Sequence, residues 1–294
     1  MATFDEFYAA LDPDVGIRGK QFEKFVKWFL KTDPTWASQI DQVWLWNEYP
    51  KRWGADCGID LIFTHKNGKT WAVQSKCVSP NNDIKKSEID SFLSESNREI
   101  IHGRLLLATT NLIGENARQV LEGQEKKVFC FLRKDFQKSQ IIFPSSTEKL
   151  VDIEYKKIAK PFLCQEKAIN KSVNYLKNRK KGKLIMACGS GKTLISLWIK
   201  EKIQAQKTLF LVPSLYLVNQ VLKEWVNNKK DPFEWICVCS DHSVSNDKKK
   251  GLKIKNSTDI STPVTSDIKE IKEFLRRDTN QVIFSTYQSS KLIV

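Results

Sequence analysis

Asp60, Gln74 and Lys76 form a pattern that could support hydrolysis of a phosphate ester. A nuclease that uses Mg²⁺ holds the cation with oxygen ligands beside the scissile phosphate and places a base or a cation near the attacking water. Asp60 offers a carboxylate. Gln74 and Lys76 stand two residues apart, so both side chains project from the same face of a strand. The pattern alone is weak, because a lysine between polar residues on a strand usually belongs to a solvated face.

The turn between the two strands decides whether Asp60 joins this pair. A two-residue turn at 67–68 would place Asp60 opposite Ser75 and direct it to the wrong face. A three-residue loop over 66–68, with its glycine in the left-handed conformation, places Asp60 directly opposite Gln74. We predict the three-residue loop, because only that register assembles the site.

A second pattern, MACGSGKT, occupies residues 186–193 between an apolar run and a helical pattern. A glycine-rich loop of this kind lets backbone N–H groups wrap phosphate oxygens at the positive end of a helix. Lys192 would reach the β- and γ-phosphates, and Thr193 would ligate Mg²⁺. Met186 departs from the strict pattern, which has glycine at that position. The predicted phosphate-binding residues are Gly189, Ser190, Gly191, Lys192 and Thr193.

Hydrophobic periodicity and turn residues predict the elements that must position these side chains. In the first half we predict helix 19–30, strands 42–49, 58–65 and 70–78, helix 84–97, strand 103–110, helix 114–122 and strand 127–132. In the second half we predict helix 162–177, strand 183–187, helix 193–204, strand 208–212, helix 215–226, strand 234–239, helix 266–277 and strand 281–286. This order predicts an α/β domain over 1–150, a linker over 151–160 and a parallel α/β domain over 161–294.

Charge separates the two halves. Residues 1–150 hold 21 Lys and Arg against 20 Asp and Glu, whereas residues 151–294 hold 27 against 14, which together give the net charge of +14. Such a basic half can neutralise nucleic-acid phosphates, although a solvated lysine-rich surface would give the same count.

The seven cysteines form no CxxC pair, which argues against a zinc site or a disulfide framework. Without an export signal or an apolar run long enough for a membrane span, we expect a cytoplasmic protein.

The first pattern and its surroundings resemble the Mrr-like branch of the PD-(D/E)XK nucleases. The resemblance covers roughly residues 15–135, from GKQFEKFVKWF through GADCGIDLIF and TWAVQSK to GRLLLATTN. It implies a restriction-endonuclease fold with a mixed sheet, in which Asp60 and Gln74 bind Mg²⁺ and Lys76 positions or deprotonates water. A first-helix glutamate, here Glu23, would complete the site. Gln74 supplies a neutral oxygen, so metal affinity should be lower than with a carboxylate.

The second half resembles the first RecA-like lobe of superfamily 2 helicases. By that resemblance Gln165 reads adenine, and LFLVPSLYLVNQ and VIFSTYQS contact the DNA backbone. The DNA-contacting residues implied are Pro213, Ser214, Thr286, Tyr287 and Gln288. With CSDHSV and TPVTSD, nearly the whole sequence resembles the N-terminal part of type ISP restriction-modification enzymes. The resemblance implies double-stranded DNA as substrate, Mg²⁺ and ATP as cofactors, and a prokaryotic restriction system.

One feature of an active ATPase is missing from the sequence. No apolar strand followed by Asp-Glu occurs after residue 194, and no second lobe supplies arginines. We therefore expect an incomplete RecA-like lobe that binds ATP weakly and does not translocate by itself. Three functions stay open: a Mg²⁺-dependent endonuclease, a non-catalytic fragment that binds DNA and nucleotide, and a subunit completed by a separately encoded partner.

Overall fold

The computed structural model describes residues 2–55, 58–150, 158–239 and 261–293. The chain divides into two compact units, Met1–Lys156 with Ile254–Pro263 and Lys157–Lys253 with Val264–Val294. Most of the predicted linker, and most of the stretch from CSDHSV to TPVTSD, lie outside the described residues. The domain boundaries predicted from the sequence therefore stay a prediction.

The first unit is built around a five-stranded mixed sheet. Its strands are β1 (Ile40–Leu45), β2 (Leu61–His65), β3 (Thr70–Lys76), β4 (Ile101–Ala108) and β5 (Val128–Phe131), which lie side by side in chain order. The pairs β1–β2 and β2–β3 are antiparallel, whereas β3–β4 and β4–β5 are parallel. Its helices are α1 (Phe4–Ala9), α2 (Val15–Thr32), α3 (Pro34–Ala37), α4 (Asp90–Glu95), α5 (Glu115–Glu122) and α6 (Arg133–Gln137). The helix predicted over 84–97 is shorter, a 3-10 turn at Lys86–Glu88 followed by α4.

The β2–β3 hairpin has the predicted register. Leu61 pairs with Val73 and Thr64 with Thr70, which is the register predicted for the two strands. The described ladder ends at Leu61, and the Asp60 N–H donates to the Val73 carbonyl, so the placement of Asp60 directly opposite Gln74 stays a prediction. The His65 N–H donates to the Lys69 carbonyl at 2.8 Å, which closes a three-residue loop. Gly68 has φ +82°, a left-handed conformation that a side chain would disfavour. The prediction of a three-residue loop is confirmed.

Alternation along the strands gives the sheet two apolar faces. On one face Phe63 stacks on Trp71 with ring centroids 5.5 Å apart, and Trp36 of α3 packs against Phe63 edge-on. The opposite face contributes Ile62 and Leu106 to a second buried cluster that includes residues of α4 and α5. The sheet is thus a central layer with helices on both sides, which fixes the position of the β3 end.

Arg104 lies in the centre of β4 with no exposed surface. Its Nη1 donates to Gln124 Oε1 and the Lys126 carbonyl, and its Nη2 donates to the Leu93 carbonyl and Asn97 Oδ1, at 2.8–3.1 Å. One buried cation therefore joins the end of α4 to the segment before β5. These bonds compensate for the loss of water around a charge that would otherwise be costly to bury.

We expect Arg104→Leu to lower the free energy of unfolding of the first unit by about 3 kcal/mol, because several buried acceptors would lose their donor. Urea denaturation followed by tryptophan fluorescence measures this change. Arg52→Leu, at an exposed position of the same unit, should alter stability by less than about 0.5 kcal/mol. Equal effects of the two substitutions would contradict the assigned role of Arg104.

The second unit contains a three-stranded parallel sheet. Its strands are β6 (Lys207–Val212), β7 (Glu234–Val238) and β8 (Gln281–Thr286), in the order β6-β8-β7. Its helices are α7 (Leu163–Lys177), α8 (Lys192–Lys202), α9 (Leu215–Asn228) and α10 (Ile268–Arg276). Parallel strands alternating with helices agree with the predicted α/β class. Among the described residues, no helix is long and apolar enough to cross a membrane.

The predicted strand over 183–187 is wrong. These residues adopt no regular secondary structure, and Leu184 and Ile185 are 44% and 80% exposed. A strand needs a neighbour to pair with its backbone groups, and no described strand lies beside this segment. An apolar run forms a strand only where a neighbouring strand can pair with it, and the described residues provide no such neighbour here.

Candidate functional site

Asp60 lies where β1, β2 and β3 meet. Its N–H donates to the Val73 carbonyl at 3.0 Å, and its own carbonyl accepts from Trp46 N at 2.8 Å. Its Oδ2 accepts bonds from the Ser75 amide and hydroxyl at 2.6 and 3.0 Å. Burial, with a smaller contribution from the negative charge of Glu23, raises the pKa of Asp60 from 3.8 to about 6, while Ser75 and Lys76 act in the opposite direction. Asp60 is thus a partly buried carboxylate held in a fixed orientation.

Gln74 is 2% exposed, and its two amide atoms differ in their surroundings. Nε2 donates to the Gly58 carbonyl at 3.1 Å, which orients the side chain. Oε1 is buried and makes no hydrogen bond with any described residue. Leaving a buried acceptor unsatisfied costs about 1–3 kcal/mol, and a bound water or cation would remove this cost.

Gly58, whose carbonyl accepts the hydrogen bond from Gln74 Nε2, lies at a position that requires glycine. Its φ is +70°, and an added Cβ would lie 2.4 Å from Ser91 Oγ. The backbone therefore reaches this conformation and this closeness to α4 only with glycine. Neither Gly58 nor Ser75 was predicted from the sequence as part of the site. A glycine just before Asp60 was a visible signal for the first, whereas nothing in the sequence pointed to the second.

Glu23 and Lys76 approach the same carboxylate from different elements. Asp14 caps the start of α2 by accepting from Gly16 and Ile17 N–H, and this helix carries Glu23. Glu23 forms an ion pair with Lys20 at 2.9 Å, and its charge acts on Asp60. Lys76 ends β3, and its ammonium forms no ion pair with any described carboxylate. The structure thus brings all four residues predicted for the first site to one end of the sheet.

The oxygen donors at this end suit a hard divalent cation. Among the described residues, no group of three or more His, Cys, Asp or Glu side chains could hold a metal ion. Asp60 and the unsatisfied Gln74 Oε1 are instead a carboxylate and an amide carbonyl, and Mg²⁺ binds such oxygens while keeping several waters. These donors fit Mg²⁺ with few protein ligands.

The phosphate-loop residues form a turn that leads into α8. Gly189 and Gly191 have φ +76° and +79°, both left-handed, and Gly191 caps the helix. Lys192 Nζ donates to the carbonyls of Met186 and Ala187 at 3.3 and 2.8 Å, so the ammonium lies across the loop. The loop thus has the backbone conformation that a phosphate-binding nest requires, although no strand precedes it.

Gln165 is brought to this loop, as its predicted role requires. Its Nε2 donates to the Ser190 carbonyl at 3.0 Å, and its Oε1 accepts from Phe162 N at 2.9 Å. A Cβ at Gly191 would lie 2.6 Å from Gln165 Nε2. The Gln165 amide therefore links α7 to the loop, and a contact with adenine would have to share or replace these two bonds.

The two predicted DNA-contacting segments lie next to each other. Val212 pairs with Thr286, so residues 213–214 and 287–288 leave neighbouring strands at the same sheet edge. Ser214 Oγ caps α9, and Thr286 Oγ1 donates to Ser289 Oγ, so both hydroxyls are used inside the fold. Of the five residues predicted to contact DNA, three are exposed: Pro213, Tyr287 and Gln288.

Comparison with known families assigns each half of the chain. Residues 31–150 match the Mrr_cat_2 family, described as restriction endonuclease. Residues 158–293 match the ResIII family, described as type III restriction enzyme, res subunit. No curated protein matches the chain.

Two solved structures of Type ISP restriction-modification enzymes match the chain. The ATP-dependent enzyme LlaBIII bound to DNA is 30% identical with a TM-score of 0.78, over 94% of this chain and 18% of that one. A nuclease-deletion mutant of LlaGI with a DNA substrate mimic is 33% identical with a TM-score of 0.36, over 47% of this chain and 13% of that one. This chain therefore spans about a fifth of the length of LlaBIII. The predicted α/β fold class is confirmed: a nuclease domain with a mixed five-stranded sheet is followed by a helicase-like domain with a parallel sheet. The chain joins a restriction endonuclease domain of the Mrr_cat_2 family to a helicase-like domain of the ResIII family, and it is similar to part of the Type ISP restriction-modification enzymes.

Proposed function

We propose that the chain is a Mg²⁺-dependent DNA endonuclease joined to an ATP-binding helicase fragment, and that it acts in a prokaryotic restriction system directed against phage. The observation that carries this proposal is the buried Gln74 Oε1, which has no hydrogen-bond partner among the described residues, on the strand whose Ser75 amide holds the Asp60 carboxylate. Lys76 stands two residues further on the same strand. A cytoplasmic location belongs to the same proposal.

Each side chain has one task in the proposed hydrolysis of a phosphodiester. Asp60 and Gln74 hold the cation, which when bound supplies positive charge to the scissile phosphate. Lys76 either orients the attacking water as an ammonium or, as the neutral amine, removes its proton, and Glu23 supports Asp60 from α2. The bond from Gln74 Nε2 to Gly58 and those from Ser75 to Asp60 fix the two ligands before substrate arrives. The product would carry a 5′-phosphate.

A plasmid assay tests the nuclease. Supercoiled DNA is incubated with the purified chain and Mg²⁺, with EDTA, and with Mg²⁺ plus ATP, and nicked and linear products are separated on a gel. We expect cleavage with Mg²⁺ and none with EDTA. Intact plasmid under all three conditions, with DNA binding retained, would instead favour a non-catalytic DNA-binding fragment.

The helicase-like domain is proposed to bind ATP with Mg²⁺ through Gly189, Ser190, Gly191, Lys192 and Thr193. The left-handed glycines and the position of the loop at the start of α8 support this role. Gln165 would contribute from α7, where it already contacts the loop.

We expect Lys192→Ala to weaken binding of a fluorescent ATP analogue by about tenfold to a hundredfold, because a charge-assisted hydrogen bond is worth about 1.5–3 kcal/mol. Fluorescence titration in the presence of Mg²⁺ measures the affinity. Lys269→Ala, at an exposed position on α10, should bind the analogue like the wild type. Unchanged binding by Lys192→Ala would contradict the assignment of the loop.

A second candidate function is a subunit that a separately encoded partner completes. The unpaired segment over 183–187 favours it, because the apolar residues before the phosphate loop have no strand neighbour in the described part of the chain. This reading predicts ATPase activity only after mixing with a chain that carries the acidic motif and the second-lobe arginines. Absence of activity in such mixtures, with both chains folded, would argue against it.

A further inference from the structure

The exposed surface of α7 and the segment that follows it carry positive charge almost without compensation. Residues 158–183 contain a single acidic residue, Glu166. Against it stand eight basic residues: Lys160, Lys167, Lys171, Lys177, Arg179, Lys180, Lys181 and Lys183. In the described part of the chain, none of these eight forms an ion pair with a carboxylate.

The charges of α7 lie on the face that does not pack. Gln165, Ile169 and Val173 are buried on one side of the helix, where Ile169 and Val173 join a cluster with residues of α8. At 100° per residue, Lys167 and Lys171 project to the opposite side, where both are exposed. Asn174 and Lys177 are exposed as well. We call the exposed side chains of Lys167, Lys171, Asn174 and Lys177 the α7 outer face.

Helix stability does not account for this arrangement. Cations in the last turn of a helix interact favourably with its dipole, which suits Lys177. Lys167 and Lys171 lie in the first two-thirds of α7, where the dipole gives no such benefit, and like charges four residues apart repel each other. Two unpaired lysines at this spacing therefore carry a small cost to the helix.

The spacing and chemistry of the α7 outer face suit a polyanion. Lys167 and Lys177 are ten residues apart, which is about 15 Å along a helix. Duplex DNA presents about one phosphate charge per 1.7 Å of its axis, so the face spans several phosphates. Lysine ammonium and asparagine amide groups both donate to phosphate oxygens.

We propose that the α7 outer face binds the phosphate backbone of duplex DNA, as a contact additional to the segments at 213–214 and 286–288. The proposal rests on DNA being the substrate of the chain. Because the contact involves phosphates alone, it strengthens binding to any sequence equally and carries no base specificity.

The test compares Lys167→Gln/Lys171→Gln with Lys269→Gln/Lys272→Gln, a pair of exposed lysines on α10 of the same unit. Both double variants remove two charges and keep a good helix former. Affinity for a fluorescent 30-base-pair duplex is measured by anisotropy at several KCl concentrations, in EDTA and without nucleotide, so that neither cleavage nor the phosphate loop contributes. Circular dichroism verifies that α7 still folds.

We expect the α7 variant to bind roughly tenfold more weakly, and its salt dependence, the slope of log K against log [KCl], to become shallower by about 1–2. The α10 variant should match the wild type. The inference is overturned if the α7 variant keeps the wild-type slope, or if the α10 variant loses as much affinity. A wild-type chain that does not bind duplex DNA at all would instead overturn the proposed function.

Discussion

Lys76→Ala is expected to reduce Mg²⁺-dependent plasmid cleavage by at least about 100-fold, the usual effect of removing a group that transfers or positions a proton. Lys76 is partly exposed at the end of β3 and forms no ion pair with a described carboxylate, so its removal should leave stability nearly unchanged. The rate is measured under single-turnover conditions at pH 8. Lys138→Ala, an exposed lysine in the same unit, serves as the matched control and should cleave at the wild-type rate.

The assay also separates two ways in which Lys76 could act. Its positive charge lowers the pKa of Asp60, so its loss would weaken cation binding as well as remove a group near the water. If the defect of Lys76→Ala persists at saturating Mg²⁺, Lys76 acts on the water. If high Mg²⁺ restores the rate, Lys76 acts through Asp60. Wild-type cleavage by Lys76→Ala at every Mg²⁺ concentration would remove it from the site.

The hairpin was predictable from sequence because its register follows from local chemistry. A glycine three residues after His65 permits the left-handed turn, and strand alternation then places Gln74 and Lys76. The contacts of Ser75 and Gly58 were not predictable, because they depend on how the end of β3 meets the preceding loop and α4. Sequence spacing thus predicted the candidate site residues, while tertiary packing determines which neighbours orient them.

The second unit shows the opposite outcome at residues 183–187. An apolar run between a basic connector and a glycine turn predicts a strand, but a strand exists only when neighbouring backbone groups pair with it. No described strand lies beside this segment, whereas β8 is buried between β6 and β7. Composition alone could not distinguish these cases, because KLIMA at 183–187 is at least as apolar as QVIFST at 281–286.

Asp60→Asn is expected to abolish cleavage and at the same time to raise the stability of the first unit. Burial raises the pKa of Asp60 to about 6, so the folded state disfavours the ionised carboxylate. A difference of this size from 3.8 corresponds to at most about 3 kcal/mol of folding free energy lost above pH 6. Asparagine carries no charge, and its Oδ1 can still accept from the Ser75 amide. Thermal melts followed by tryptophan fluorescence measure the change.

The pH dependence fixes the sign of this effect. The Asp60 carboxyl holds its proton more tightly in the folded state than in the unfolded state. Wild-type stability therefore falls as the pH rises from about 4 to about 6 and stays lower above pH 6. The advantage of Asp60→Asn should therefore be full at pH 8 and vanish near pH 4. Asp41→Asn, which removes an exposed carboxylate from the same unit, serves as the matched control.

Mg²⁺ provides a second, independent readout of Asp60. A cation that binds only the folded state raises the melting temperature with its concentration, and Asp60→Asn should lose this response together with cleavage. A carboxylate kept for structure alone would behave differently. Its replacement would destabilise the unit at pH 8 by weakening the hydrogen bonds from Ser75 to Asp60. Gain of stability with loss of both metal response and cleavage is the combination expected of a charged ligand that is retained for catalysis at the expense of folding.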